Sequence, residues 1–254
     1  MGGYSTAPRP ACAAEVYSSN IVGYTKITVP ENKMDIVGVQ FQNIGAEGTL
    51  SLQDIKVDGY SEEGVDWIKI YDPATSLYET VYYYGEAMEG VYADDSYETL
   101  VGTGWGDTDQ IVVDIDIPAG TGVWTQSETG GTLIVAGEVT SENTVSVPVN
   151  TMTLVANPLP MAVSVQDIKV DGYSEEGADW IKIYDPETSL YETIYYYGEA
   201  MEGVYADDSY ETLVGPGWGD TDQIVVDRTI EVGQGFWTQA ENGGILVFPA
   251  VSAE

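Results

Sequence analysis

The chain has 254 residues, of which 42 are acidic and 8 basic, so its formal net charge is −34, and it contains no histidine. Nucleic acids and anionic membranes carry charge of the same sign and are poor partners for such a chain. The absence of histidine excludes a Ser-His-Asp triad, histidine-bound zinc and an imidazole proton shuttle. The single cysteine, Cys12, excludes an intrachain disulfide, and no apolar run approaches the length of a membrane span.

Residues 1–19 are rich in glycine, proline, alanine and serine and predict an N-terminal arm. The small residues around Cys12 are typical of the end of a signal peptide, but no apolar core precedes them. A leader remnant and a mature arm therefore both stay open. We expect the arm to be ordered by docking, either on its own domain or on a neighbouring copy, with the neighbour favoured.

From residue 20 onward the sequence predicts short β-strands. Residues 122–126 and 132–135 predict a closing hairpin, and residues 102–107 predict a loop. No window carries apolar residues at helical spacing over three turns, so the predicted fold is all-β, sandwich or barrel-like, without long helices. Alternation of polar and apolar residues predicts further strands over residues 20–30, 36–41, 51–57, 67–71, 77–84 and 110–114.

One stretch of the chain occurs twice. Residues 53–114 and 166–227 differ at only four positions, and the second copy begins 113 residues after the first. A fixed long period is typical of a structural unit that is used more than once, and each unit here has the size of a normal domain. We therefore predict two tandem, homologous β domains, formed by residues 20–139 and 140–254.

Several short motifs mark these units, among them an opening Asn-x-Val-Gly-Tyr strand, a Leu-x-Ala-Asn-Pro-Leu segment and a Gly-x-Gly-Phe-Trp turn. The first three motifs lie at residues 20–24, 154–159 and 233–237. An Asp-x-Ile-x-x-Tyr-Asp hairpin lies at residues 66–78, the tryptophans before the turn are residues 105 and 218, and a closing Gly-Glu-Val lies at residues 137–139. In these motifs each unit resembles the modules of secreted tandem-repeat β proteins of uncharacterised role from environmental bacteria. The first unit departs from the pattern at residues 37–40 and 121–124, and the second ends without Gly-Glu-Val. The resemblance implies export or cell-surface location and a β architecture, and it brings no known activity.

The best candidate for a metal site is the acidic loop at residues 58–66, which is repeated at residues 171–179. Each copy places four carboxylates within nine residues on a loop that contains glycine, and Ca²⁺ prefers about six to eight oxygen ligands on flexible loops. The spacing is not that of an EF-hand, so a solvated acidic loop is the alternative. The predicted ligands are Asp58, Glu62, Glu63 and Asp66 in the first copy and Asp171, Glu175, Glu176 and Asp179 in the second.

Other acidic and aromatic residues of the chain also suggest chemistry. Asp107 and Asp220 are expected to cap turns rather than to bind a metal. Two carboxylates could catalyse glycoside hydrolysis, but a chance pair is uninformative in so acidic a chain, and we expect no enzymatic activity and no catalytic residue. The tyrosines Tyr78, Tyr82 and Tyr84 and the tryptophans could stack on sugars or form subunit contacts. The favoured alternative is that they form a half-buried sheet face and that Trp67, Trp124 and Trp237 anchor the core.

These observations lead to a structural hypothesis. We expect an extracellular protein that self-assembles into a filament or surface layer, through the arm and through head-to-tail contacts like the one between its two units. Its partner would be another copy of the chain. The alternative is a carbohydrate-binding surface protein that uses exposed tyrosines, tryptophans and acidic loops, and that is retained on polysaccharide as a monomer.

Overall fold

Short antiparallel strands form nearly all of the regular structure, which confirms the all-β prediction. The computed structural model describes residues 22–44, 49–85, 102–140, 143–174, 176–198 and 215–250, so the predicted arm over residues 1–19 lies outside the described residues. Within these ranges the helices are two single turns of 3₁₀ type, Leu52–Asp54 and Val165–Asp167. No helix of the described part is long and apolar enough to cross a membrane.

The strands fall into two sets, one in each sequence unit, and we call residues 20–139 repeat 1 and residues 140–254 repeat 2. The strands of repeat 1 are β1 (Val22–Val29), β2 (Lys33–Gly38), β3 (Phe41–Gln42), β4 (Leu50–Ser51), β5 (Lys56–Asp58), β6 (Glu63–Asp72), β7 (Leu77–Tyr84), β8 (Gly104–Gly106), β9 (Asp116–Ile117), β10 (Gly122–Ser127) and β11 (Gly131–Val139). Those of repeat 2 are β12 (Thr144–Val147), β13 (Thr153–Ala156), β14 (Val163–Ser164), β15 (Lys169–Asp171), β16 (Glu176–Asp185), β17 (Leu190–Tyr197), β18 (Gly217–Gly219), β19 (Thr229–Ile230), β20 (Gly235–Gln239) and β21 (Gly244–Val247).

Each repeat contains two main sheets. In repeat 1, one sheet has the order β1-β11-β3, with β5 also paired to β11, and the other has the order β2-β10-β6-β7-β8. Repeat 2 has the corresponding sheets β12-β21-β15 and β13-β20-β16-β17-β18, and each repeat adds one two-stranded pair. Every strand pair of the described part joins two strands of one and the same repeat. The prediction that the repeats are separate domains stays a prediction.

The two sheets of each repeat enclose one hydrophobic cluster. In repeat 1, Leu133 of β11 belongs to the same buried cluster as Ile68 of β6 and Val81 of β7, and repeat 2 has an equivalent cluster. Side chains alternate along a strand, so Trp67 and Lys69, on either side of Ile68, point to the opposite face of the five-stranded sheet. Full burial of one such aliphatic side chain contributes about 1.5–3 kcal/mol.

The largest fully buried side chains of the described part are Trp105 and Trp218. They lie in β8 and β18, where the sequence predicted a loop, so this prediction was wrong. The side-chain amide of Gln53 explains the local structure: its Nε2 donates to the carbonyl oxygens of Trp105, at 2.7 Å, and Val113, and its Oε1 accepts from the Trp105 N–H. Strand β8 thus pairs with β7 on one side and is held on the other side by the side chain of Gln53, which local periodicity does not reveal.

Two further differences from the predicted strands occur where short-range side-chain hydrogen bonds hold turns. The strand predicted over residues 51–57 is interrupted by a 3₁₀ turn, which Ser51 caps by accepting a hydrogen bond from the Gln53 N–H. The strand predicted over residues 110–114 is reduced to isolated bridge residues, among them Val112, which pairs with Gly106. Here Asp107 accepts hydrogen bonds from the backbone N–H groups of Asp109 and Ile111, both at 2.9 Å, which confirms its turn-capping role. Asp220 does the same in repeat 2.

Candidate functional site: the aromatic junction between the repeats

The outer face of the five-stranded sheet of repeat 1 carries aromatic side chains in cross-strand pairs. Trp67 of β6 lies opposite Tyr82 of β7, and Tyr71 lies opposite Tyr78. The Lys69 ammonium group sits 4.5 Å from the centre of the Trp67 ring. Repeat 2 presents the same surface, because Trp180 pairs with Tyr195 and Tyr184 with Tyr191. Aromatic residues on a pleated face form a continuous apolar surface with polar hydroxyl groups at its edges.

These outer faces meet where the two repeats touch. Ile36, Trp124, Leu154 and Trp237 form a buried cluster shared by both repeats, and we call this cluster with its flanking Tyr71 and Tyr184 the junction. The Tyr71 ring contacts the Trp237 ring with centroids 4.9 Å apart at 79°, and Trp124 contacts Tyr184 at 4.9 Å and 70°. Edge-to-face pairs of this kind contribute about 0.5–1.5 kcal/mol beyond the area they bury.

Backbone groups also bond directly across the junction. The Gly38 N–H donates to the Gly233 carbonyl oxygen at 2.8 Å, and the Ala156 N–H donates to the Gly120 carbonyl oxygen at 2.8 Å. Single antiparallel bridges join Val37 to Gln234 and Thr121 to Val155. The repeats are therefore held together by main-chain hydrogen bonds as well as by side-chain packing.

Glycine makes this close approach feasible. A Cβ atom on Gly122 would lie 2.6 Å from the carbonyl oxygen of Val155, and one on Gly235 would lie 2.5 Å from Ile36 Cγ2 and 2.9 Å from the carbonyl oxygen of Val37. All three distances are shorter than the contacts that real Cβ atoms make. The first residue of β10 and the first residue of β20 must therefore lack a side chain if the junction is to close.

The contacts across the junction come in exchanged pairs. Tyr71 touches Trp237, while Tyr184 and Trp124, which occupy the same places in the opposite repeats, touch each other. The two backbone hydrogen bonds and the two bridges are exchanged in the same way. Each repeat thus offers the same surface, and the contact has approximate two-fold symmetry. It is not the head-to-tail contact that the sequence hypothesis assumed, and within one chain it closes instead of propagating.

Charged groups break the two-fold symmetry on one side. Lys33 Nζ lies 2.6 Å from Glu187 Oε2, whereas repeat 1 has Ala74 where repeat 2 has Glu187.

Burial raises the pKa of Asp35 from 3.8 to about 6, the N–H of Ile36 lowers it through a 2.8 Å hydrogen bond, and the charge of Asp185 raises it further. Asp35 lines a cleft of about 230 Å³ beside the junction, together with Pro186, Glu231 and Gln234 among others.

The predicted metal loop holds one carboxylate that is fully buried. Asp66 accepts hydrogen bonds from the backbone N–H groups of Ser61, at 2.6 Å, and Glu128, at 2.7 Å, and from the Ser127 hydroxyl group at 2.8 Å. These bonds tie the start of β6 to the hairpin between β10 and β11. A charged acceptor with several donors is a strong structural contact, so the geometry gives Asp66 a role in holding this hairpin.

The other predicted ligands do not gather around Asp66. Asp58 and Glu63 are exposed, opposite Thr132 and Tyr84 respectively, and Glu62 is exposed in the turn before β6. Asp171 and Glu176 are exposed in the same way, and buried Asp179 accepts from the N–H groups of Ser174 and Glu241, while Glu175 lies outside the described residues. Among the described residues, no group of three acidic or cysteine side chains could hold a metal ion. A Ca²⁺ site in these loops stays a prediction.

The structure also sorts the aromatic residues that the sequence left open. Trp124 and Trp237 are buried in the junction rather than in the core of a repeat, and Trp67 flanks it. Tyr78 and Tyr191 keep 44% and 45% of their surface exposed. Tyr71 and Tyr184 were not singled out from the sequence. Tyr71 follows Lys69 by two residues and Trp67 by four, and Tyr184 has the same spacing from Lys182 and Trp180. Since alternate residues of a strand share a face, this spacing is the signal that places both tyrosines on the outer face.

In a comparison with known proteins, no family model matches the chain, and no curated protein or solved structure is significantly similar to it.

Replacing Gly122 by alanine tests the close approach at the junction. The added Cβ would overlap the Val155 carbonyl oxygen, so we expect the free energy of unfolding to fall by about 1–3 kcal/mol. The matched control is Gly102→Ala, because a Cβ there would meet nothing within 4 Å, and its effect should stay within about 0.5 kcal/mol. Chemical denaturation of both variants measures the difference. Equal stability of the two variants would contradict the proposed packing.

The raised pKa of Asp35 predicts a defined pH dependence. Because the folded pKa is about 6 and the ordinary value is 3.8, the folded state binds the extra proton between these values. Its stability should therefore fall by about 1–3 kcal/mol as the pH rises from 4 to 6, and then stay level with respect to this group. We expect Asp35→Asn to match the wild type near pH 4 and to be more stable at pH 7.5.

Denaturation curves across this pH range should be run beside Asp116→Asn, which removes an exposed charge of β9. The difference between the wild type and Asp35→Asn should develop between pH 4 and 6. A difference that is flat with pH, or that is matched by Asp116→Asn, would show that Asp35 is not buried at the junction.

Proposed function

We propose that this protein is an exported structural subunit that self-associates, as a filament or a surface layer. The observation that carries the proposal is the open edge of the four-stranded sheet of repeat 1. Strand β1 pairs with β11 over eight residues, and on its other side no described residue pairs with it. Val22 and Tyr24 on this strand are 59% and 67% exposed.

An edge of this length is unusual unless it has a partner. Natural β proteins keep edge strands short, charge them or cover them, since a free row of N–H and C=O groups pairs readily with another chain. The corresponding strand of repeat 2, β12, has only four residues. The asymmetry supports a role of β1 in binding an added strand, and residues 1–19 of a neighbouring copy are the partner that we propose.

The net charge sets the conditions for such assembly. Copies that each carry a formal charge of −34 repel one another, and the repulsion extends over about 10 Å at 0.1 M salt. Salt or divalent cations would reduce it. The acidic loops at residues 58–66 and 171–179 are where we propose that Ca²⁺ acts, so assembly should be compared with added calcium and with a chelator.

The variant Tyr24→Glu tests the edge. A charge on the exposed edge strand opposes strand addition and removes an apolar contact, so we expect half-assembly to need at least about tenfold more protein. Met161→Glu adds the same charge at an exposed apolar residue outside the strands and should assemble like the wild type. Sedimentation and negative-stain electron microscopy measure both. Wild-type particles that stay dispersed with and without calcium would contradict the proposed function.

A second candidate function, binding of a neutral polysaccharide, is favoured by the exposed part of the outer face. Tyr78 and Tyr191 flank the junction with rings half exposed, and partial burial raises the pKa of both phenols, so they are neutral donors at physiological pH. Stacking on the apolar face of a sugar ring would use such residues. The chain's negative charge makes an anionic polysaccharide an unsuitable ligand.

Retention on cellulose and on chitin tests this alternative. The double variant Tyr78→Ala/Tyr191→Ala should lose at least about tenfold in retention if the rings stack on sugar. Leu77→Ala/Leu190→Ala is the control, since these neighbours on the same hairpins are 67% exposed. Equal retention of both double variants, or no retention of the wild-type monomer, would exclude this surface as a sugar site.

A further inference from the structure

We propose that the junction also forms between chains, with repeat 1 of one copy bound to repeat 2 of another. The inference rests on the proposed function, because it names a second surface, besides the open edge of β1, through which copies would associate. It requires no new surface. The contact that closes within one chain is the same contact that would link two chains after the repeats of each have separated.

The composition of the junction supports this exchange. The junction consists of the cluster around Trp124 and Trp237, two aromatic pairs and backbone hydrogen bonds, all of them between one repeat and the other. No contact in it depends on which chain supplies the second repeat. The free energy of the contact itself is therefore equal within a chain and between chains.

The connection between the repeats decides which form prevails. Strand β11 ends at Val139 and β12 begins at Thr144, so residues 140–143 join the repeats. A short connection favours the closed chain through an effective concentration of the order of millimolar. Where chains reach comparable concentration, as in a dense layer at a cell surface, exchange costs little. A chain whose two repeats bind two different neighbours then extends the assembly, which the closed two-fold contact cannot do.

The Lys33–Glu187 ion pair provides a direct test of this exchange. The two groups are 2.6 Å apart and both side chains are at least one-third exposed, so a carbodiimide can join them by an amide bond. The bond forms between the Lys33 amine and the activated Glu187 carboxyl group, and the activating reagent leaves as a urea. In a closed monomer the linked peptides come from one chain, and after exchange they come from two.

Two full-length variants separate these cases. Lys33→Ala lacks the amine and Glu187→Ala lacks the carboxylate, so neither variant can form the link alone. An exposed ion pair contributes only about 0–1 kcal/mol, and repeat 1 already has Ala74 at the position of Glu187, so both variants should fold. The variants are mixed at high concentration, incubated and treated with carbodiimide. Oligomers and monomers are then separated and digested for mass spectrometry, with the wild type as the positive control.

In the mixture, we expect the cross-linked Lys33–Glu187 peptide to occur in the oligomers and to be absent from the monomers. Oligomers that form in the mixture without this peptide would overturn the exchange, while self-association through another surface would stand. If neither the wild type nor the mixture forms oligomers at any concentration, both the exchange and the proposed function are wrong.

Discussion

The close approach of β10 and β20 to the opposite repeat is the constraint on which the rest of the structure depends. It requires glycine at positions 122 and 235, because any Cβ there would overlap the facing strand. Once the backbones meet, Trp124 and Trp237 become buried and each makes an edge-to-face contact with a tyrosine of the other repeat. The resulting contact has approximate two-fold symmetry, so a substitution in one repeat changes only one of its two equivalent halves.

This arrangement explains how so acidic a chain forms a stable contact. The centre of the junction is apolar and its hydrogen bonds are between backbone groups, so most of the acidic residues lie elsewhere. Fully buried Asp66 has specific partners in the hairpin, and partly buried Asp35 beside the junction has a raised pKa. The junction also has the half-exposed Tyr78 and Tyr191 beside it, and these two residues are the basis of the proposed binding of a neutral polysaccharide.

Much of the fold could be predicted from the sequence, and the reasons for the remainder are local. Strands with clear alternation, such as β1 and β7, lie where predicted. Trp105 was assigned to a loop because the strand that carries it is three residues long and is held by the Gln53 side chain, a contact 52 residues distant. The sequence does not predict the junction, because Gly122 and Trp124 lie in a segment whose pattern is that of any strand next to a glycine. Their contacts are with repeat 2, and local sequence does not indicate which segment of repeat 2 they meet. Repeat identity indicated that a contact would occur, but not that it would be two-fold.

The most direct test of the central claim is a double-mutant cycle between Tyr71 and Trp237, the pair whose rings touch across the junction. Unfolding free energies of Tyr71→Ala, Trp237→Ala and the double variant should reveal a coupling energy of about 0.5–1.5 kcal/mol. The cycle of Tyr71 with Trp218, which is buried in the core of repeat 2, should be additive. Additivity of Tyr71 with Trp237 would contradict the account, because the two repeats would then not meet through this junction.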